Sequence, residues 1–218
     1  MTLTLPKLVG YHIAIPGIPL PPIEASLYEY VMAGNGIFIR GARREFRAQF
    51  CIAPFAVRGL QELDLSLQMN GPRVSCEIVA EMLRRSRSAR DAKGQPCEIV
   101  FHLELDEAMV WQCHVPNQKQ SPMRARPTDD SPASSYTRAC IEVHSHVDMH
   151  ASFSSIDDKD ELGFRIYAVM GSISTTPVIR VRVGMYGYRH DIPAHWVFDL
   201  PPGIGDAVTG EGTLLGLT

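Results

Sequence analysis

Apolar residues change their period at Asn70-Gly71-Pro72, and this shift constrains the fold more than any other feature of the 218-residue chain. Upstream, Leu63, Leu65, Leu67 and Met69 alternate with polar neighbours, the period of two of a half-buried strand. Downstream, Val74, Ile78, Val79, Met82 and Leu83 fall at helical spacing, with Arg84, Arg85, Arg87 and Arg90 on the other side. A strand pattern meeting a helix pattern at a Gly-Pro break marks a domain boundary. The expected layout is a β-rich N-terminal region over 1–72, a main domain over 73–200 and an irregular, glycine-rich tail over 201–218.

In the N-terminal region, Pro16, Pro19, Pro21 and Pro22 read as an irregular opening, because proline neither donates to a ladder nor continues a helix. Ile37 to Arg40 and Glu45 to Ile52 read as strands flanking a turn that contains Gly41. In the main domain the helix ends at Lys93-Gly94-Gln95-Pro96, and Cys97 to Leu105 and Met109 to Val115 follow as strands. Residues 116–138 are rich in Pro, Ser and charge without periodicity, which reads as a long mobile loop. Ala139 to His146 is a strand, Ser152 to Phe164 starts like a helix, and Arg165 to Met170 and Val178 to Met185 are further strands. The order of elements suggests an α/β or α+β layered fold.

Five cysteines, odd in number and without a CxxC pair, argue against a disulfide framework or a cysteine zinc knuckle. A formal net charge of −3 gives no basic face for nucleic acid. No run of some 18 apolar residues predicts a membrane span, and the first residues lack a secretory pattern. The cytoplasm is the expected compartment.

Chemistry concentrates between Glu142 and Asp157. On a strand, residues two apart share a face, so His144 and His146 project together and can close on one metal ion. Asp157 follows eleven residues after His146, with Ser154 three positions before it. An Asp there can supply a third ligand and leave a position for water, the build of a catalytic zinc site. Ser154-Ser155-Ile156-Asp157 is also a plausible capping pattern, with Ser as N-cap and an acid at N3.

His144-Ser145-His146, seven residues, then Ser154 to Asp157 resembles the H-x-H-x7-S-x-x-D signature of the JAB/MPN (JAMM) metallo-isopeptidases. Upstream, Gln95-Pro96-Cys97-Glu98 is similar to that family's Pro-x-Glu, and Val115-Pro116-Asn117-Gln118 to the Pro-x-x-Asn of its prokaryotic members. The likeness runs from about Val74 to Val197. It implies a mixed β-sheet flanked by helices, with His144, His146 and Asp157 binding Zn2+, Glu98 as general base and Ser154 as oxyanion donor. Glu104 and Glu77 are alternatives for the base.

The implied activity is hydrolysis of an amide bond after the C-terminal tail of a ubiquitin-like protein or peptide, with a ThiF-like activating enzyme as a further partner. The whole chain resembles the JAB-domain proteins of plasmid-associated PRTRC cassettes, which would place it beside ParB-related and ubiquitin-like proteins. Two departures stand out: Val147 replaces the proline usual after the second His, and Ile99-Val100 replace the Cys-Gly common after the base. Both bear on loop shape rather than on ligands.

Two other readings compete. Many MPN modules lack ligands and serve as non-catalytic scaffolds, whereas all three ligands are present here. The run His144 to His150 is also similar to the HxHxDH of metallo-β-lactamase-fold hydrolases, but Met149 separates Asp148 from His150. His12, His102 and His114 read as ordinary surface or core histidines.

Overall fold

The computed structural model describes residues 7–208 and 213–215. Residues 1–6, 209–212 and 216–218, which include the ends of the N-terminal region and of the glycine-rich tail, lie outside the described residues. The protein is mixed α/β, with 40% strand and only 12% helix, so its sheets rather than its helices define the architecture. The chain divides into two compact units, one formed by residues up to 70 with those after 210, the other by 71–210.

In the first unit, β1 (Val9–Ile13) runs parallel to β2 (Tyr28–Ala33). An antiparallel series continues through β3 (Gly36–Ala42), β4 (Phe46–Pro54) and β5 (Ser66–Met69). The proline-rich opening therefore sits between two paired strands. Gly41 lies inside β3 rather than in a turn, and the chain reverses at residues 43–45. There Glu45 accepts from both Arg43 and Arg44, an arrangement that side-chain periodicity cannot reveal. Inside this unit the Glu29 carboxylate is buried, where it meets Arg40 at 2.6 Å and accepts the Ala25 N–H. A buried charge requires such pairing.

The strand β15 (Thr213–Leu215) pairs parallel with β5. The tail is thus not wholly irregular, and the short β14 (Gly205–Asp206) likewise pairs with β12 (Val178–Met185) of the second unit.

The second unit begins with α1 (Cys76–Ser88), which buries Val79, Met82 and Leu83 and leaves Arg84 and Arg85 paired with Glu81 on its outer face. Its sheet runs β13–β12–β11–β10–β6–β7. The strands are β6 (Val100–Leu105), β7 (Trp111–His114), β10 (Ile141–Ser145), β11 (Arg165–Gly171), β12 (Val178–Met185) and β13 (Tyr188–Ile192). β10 is central, parallel to β11 and antiparallel to β6. Burial on both faces explains the nearly continuous apolar run of β11.

Two expectations are corrected here. Residues 116–138 are not a structureless loop: β8 (Gln118–Ser121) and β9 (Arg124–Pro127) form a hairpin, and α2 (Ser135–Arg138) follows. The hairpin has no apolar face because its inward residues dock by hydrogen bonds. Gln118 both donates to and accepts from the Val100 backbone, and Gln120 donates to the Glu98 carbonyl. The helix read over Ser152 to Phe164 shrinks to α3 (Asp157–Asp160), which buries no residue. Ile156 and Leu162 stay exposed, so no apolar stripe rewards a longer helix. Among the described residues, no helix is long and apolar enough to cross a membrane.

Candidate metal centre

The site is assembled at the C-terminal end of β10, in the middle of the second unit's sheet. His144 is in register with Val100 of β6 and Val169 of β11, and His146 follows one residue past the strand, its N–H held by the Met170 carbonyl at 2.8 Å. Both rings are buried and face each other with Nε2 atoms 3.2 Å apart. Asp157, delivered by the first turn of α3, brings Oδ1 to 3.5 Å from His144 Nε2. One ligand atom from each of the three residues lies within 4.8 Å of the others. Donors on a tetrahedral zinc at the usual bond lengths sit roughly 3.3 Å apart, so the set fits that ion.

The tautomers agree with this donor set. His146 Nδ1 lies 3.0 Å from the His150 carbonyl, which can only accept, so Nδ1 carries a proton and Nε2 is the nitrogen left to face the cluster. Burial, opposed by the Asp157 carboxylate and aided by His146, pushes His144 down to about 4, so this ring is neutral near pH 7, as a metal ligand must be. Burial would raise the Asp157 carboxyl, but His144, the backbone N–H and hydroxyl of Ser154, and His146 together hold it low.

Ser154 and Asp157 form a reciprocal pair. Ser154 Oγ accepts the N–H groups of Ile156 and Asp157, and Asp157 Oδ2 accepts the Ser154 N–H at 2.5 Å. This is capping-box chemistry, set just before the short helix. It leaves Asp157 Oδ1 aimed at His144, so one carboxylate closes the turn and faces the cluster at once.

Glu98 lies upstream of β6 rather than within a strand, in a segment clamped from two sides. Its N–H donates to the Ser121 carbonyl of the hairpin, and the next residue, Ile99, donates to Ser145 Oγ on β10. Its Oε1 is 3.9 Å from His146 Nε2. Burial, then the charge of Asp157, raises its carboxyl to about 8, opposed by the Ala125 N–H. Glu98, His144, His146, Ser154 and Asp157 all line one cleft of about 430 Å³. Glu104 instead pairs with Arg138, and Glu77 sits exposed in the first turn of α1. Neither lines the cleft.

Comparison with protein-family models and with curated proteins finds no match for this chain. The assignment therefore rests on geometry and on the motif.

Several supporting residues were not legible from the motif. Ser145, fully buried, ties the Glu98 segment to the histidine strand. Gln118 and Gln120 hold the hairpin against residues 98–100. Phe153 packs edge-on against His144 and carries the Arg182 guanidinium 3.7 Å above its ring, with Arg182 in turn bonded to buried Glu161. Asp148 and His150, the extra members of the rival HxHxDH pattern, are exposed, and His150 contributes its carbonyl.

Proposed function

We propose that this chain is a zinc-dependent peptidase or isopeptidase of JAB/MPN (JAMM) type. The observation that carries the reading is the convergence of His144, His146 and the Asp157 carboxylate on one point of a cleft that also holds the buried Glu98. His144 Nε2, His146 Nε2 and Asp157 Oδ1 would hold the ion. Bound there, zinc would polarise a carbonyl and lower the pKa of water toward 7. Glu98 would take the proton from the attacking water on Oε1 and return it to the leaving nitrogen. Ser154, on the cleft wall, would donate to the developing oxyanion.

The proposed substrate is an amide bond after the C-terminal tail of a ubiquitin-like protein or peptide, with a ThiF-like enzyme as partner and the cytoplasm as site of action. Relative to the helix-flanked sheet of the MPN resemblance, this protein is richer in strand, so the proposal leans on the site more than on the architecture.

The purified protein is expected to bind about one zinc per chain, and His144→Ala to lose it. Elemental analysis that finds no metal in the wild type after zinc reconstitution would leave the non-catalytic scaffold as the better reading.

Ser154 separates catalysis from capping. Ser154→Ala is expected to lower kcat by about 10²–10³ with zinc retained, beside a stability loss of about 1 kcal/mol. Ser154→Asp preserves the cap, yet cannot donate when ionised, and should be folded and inactive. Turnover beside thermal unfolding decides the matter: near-wild-type turnover in both variants would reduce Ser154 to a cap.

A further inference from the structure

The β8–β9 hairpin has two chemically different faces. Gln118 and Gln120 point inward onto the backbone of residues 98–100. Alternation along each strand places Lys119, Arg124 and Arg126 on the opposite face, and all three line the cleft that holds the His144, His146 and Asp157 cluster. Lys119 stands directly across from Arg126 in the strand register. Like charges at directly opposed positions destabilise a hairpin.

Arg124 is answered by Asp160 at 2.9 Å. Lys119 and Arg126 are exposed, and neither has a carboxylate partner among the described residues. Glu98, whose carboxyl receives the Ala125 N–H of the same hairpin, lines that cleft as well. Two cations opposed across a docked hairpin, without an ion-pair partner among the described residues although Asp129, Asp130 and Glu142 line the same cleft, can receive an anionic group.

We propose that Lys119 and Arg126 form a subsite that receives a carboxylate of the substrate in the cleft that holds the His144, His146 and Asp157 cluster. This rests on the peptidase reading and narrows it to peptides that carry either an acidic side chain or a free C-terminal carboxylate in the cleft. Charge-assisted hydrogen bonds from Lys and Arg to a carboxylate are the strong ones, and the Arg fork can take it bidentately.

The test measures binding of fluorescein-labelled peptides to the full-length protein by anisotropy. The peptides share one length and differ only in Glu, Gln or Lys side chains and in a C-terminal carboxylate or amide. Peptides with the favoured carboxylate should bind about tenfold more tightly than the matching Lys peptides, and the preference should fade at high salt. Whether the gain follows the side chain or the terminus tells the two sources apart. Lys119→Glu combined with Arg126→Glu, both at exposed positions, should reverse the order.

Binding indifferent to peptide charge, an unchanged order in the double variant, or a single-stranded oligonucleotide that outcompetes the acidic peptides would each overturn the subsite. Cleavage of the same peptides by the zinc-reconstituted protein keeps the two ideas distinguishable. Charge-selective binding without any cleavage would refute the peptidase and leave the subsite standing. Cleavage and binding blind to charge would do the opposite.

Discussion

Glu98→Gln is expected to abolish amide hydrolysis while leaving zinc bound. The glutamate is only 4% exposed, and its Oε1 faces His146 Nε2 across 3.9 Å. That oxygen is buried with no hydrogen-bond partner among the described residues. An orphaned buried carboxyl oxygen is costly to keep, and the positive charge of a zinc ion beside it would oppose the burial that raises its pKa and free it to accept a proton. Glutamine matches the shape and keeps the clamp made by the Glu98 N–H and carbonyl, which are backbone groups. It cannot take up a proton at neutral pH. A positioned general base contributes about 10²–10⁴ in rate, and that factor should vanish from kcat. Zinc content should not change, because the metal would rest on His144, His146 and Asp157. Zinc lost together with activity would make Glu98 a ligand. Full activity would move the base elsewhere, and neither Glu104 nor Glu77 lines the cleft.

What the sequence makes legible follows from which forces leave a periodic trace. The HxH pair could be placed on one face because alternation is a geometric property of any strand, and β10 carries His144 with Ile141 and Val143 buried, His146 following one residue past its end. The Ser154–Asp157 spacing could be read both as a cap and as part of a metal site. The two are geometrically compatible, since Oδ2 serves the turn and Oδ1 faces His144.

Other parts left no such trace. The hairpin over 118–127 docks through Gln118 and Gln120 side chains on backbone groups, so neither face is apolar and no hydrophobic period betrays it. Glu98 owes its place to Ser121 and Ser145, residues far from it in sequence. β1 pairs in parallel with β2 across the prolines, a non-local contact that local propensity does not encode. The segment 152–164 carries helix-compatible residues but buries too few of them to extend beyond four.

Gly171→Ala is expected to disable the site from a position that no metal-site motif includes. Gly171 ends β11, and a Cβ built there would lie 2.1 Å from the Ala151 nitrogen and 2.5 Å from the His150 carbonyl carbon. The obstacle is backbone, so it cannot swing aside as a flexible side chain would. The obstructed segment runs from Val147 to Ala151 and is stitched to the chain after β11 by the Ser172 N–H on the Met149 carbonyl and the Ile173 N–H on the Val147 carbonyl. Displacing it moves the His150 carbonyl, the group that fixes the Nδ1 proton of His146 and so points Nε2 at the cluster. Overpacking of this kind typically costs about 1–3 kcal/mol in stability. Loss of an outer-shell partner of a metal-ligating histidine typically lowers metal affinity about 10–100-fold, and turnover at limiting zinc should fall with it. Gly205→Ala serves as the control, because its Cβ would meet Val178 at an ordinary 3.5 Å. Zinc affinity measured by competition with a chelator, beside thermal unfolding of both variants, separates the outcomes. A Gly171→Ala protein that is less stable yet binds zinc as the wild type does would show that the His150 carbonyl does not orient His146.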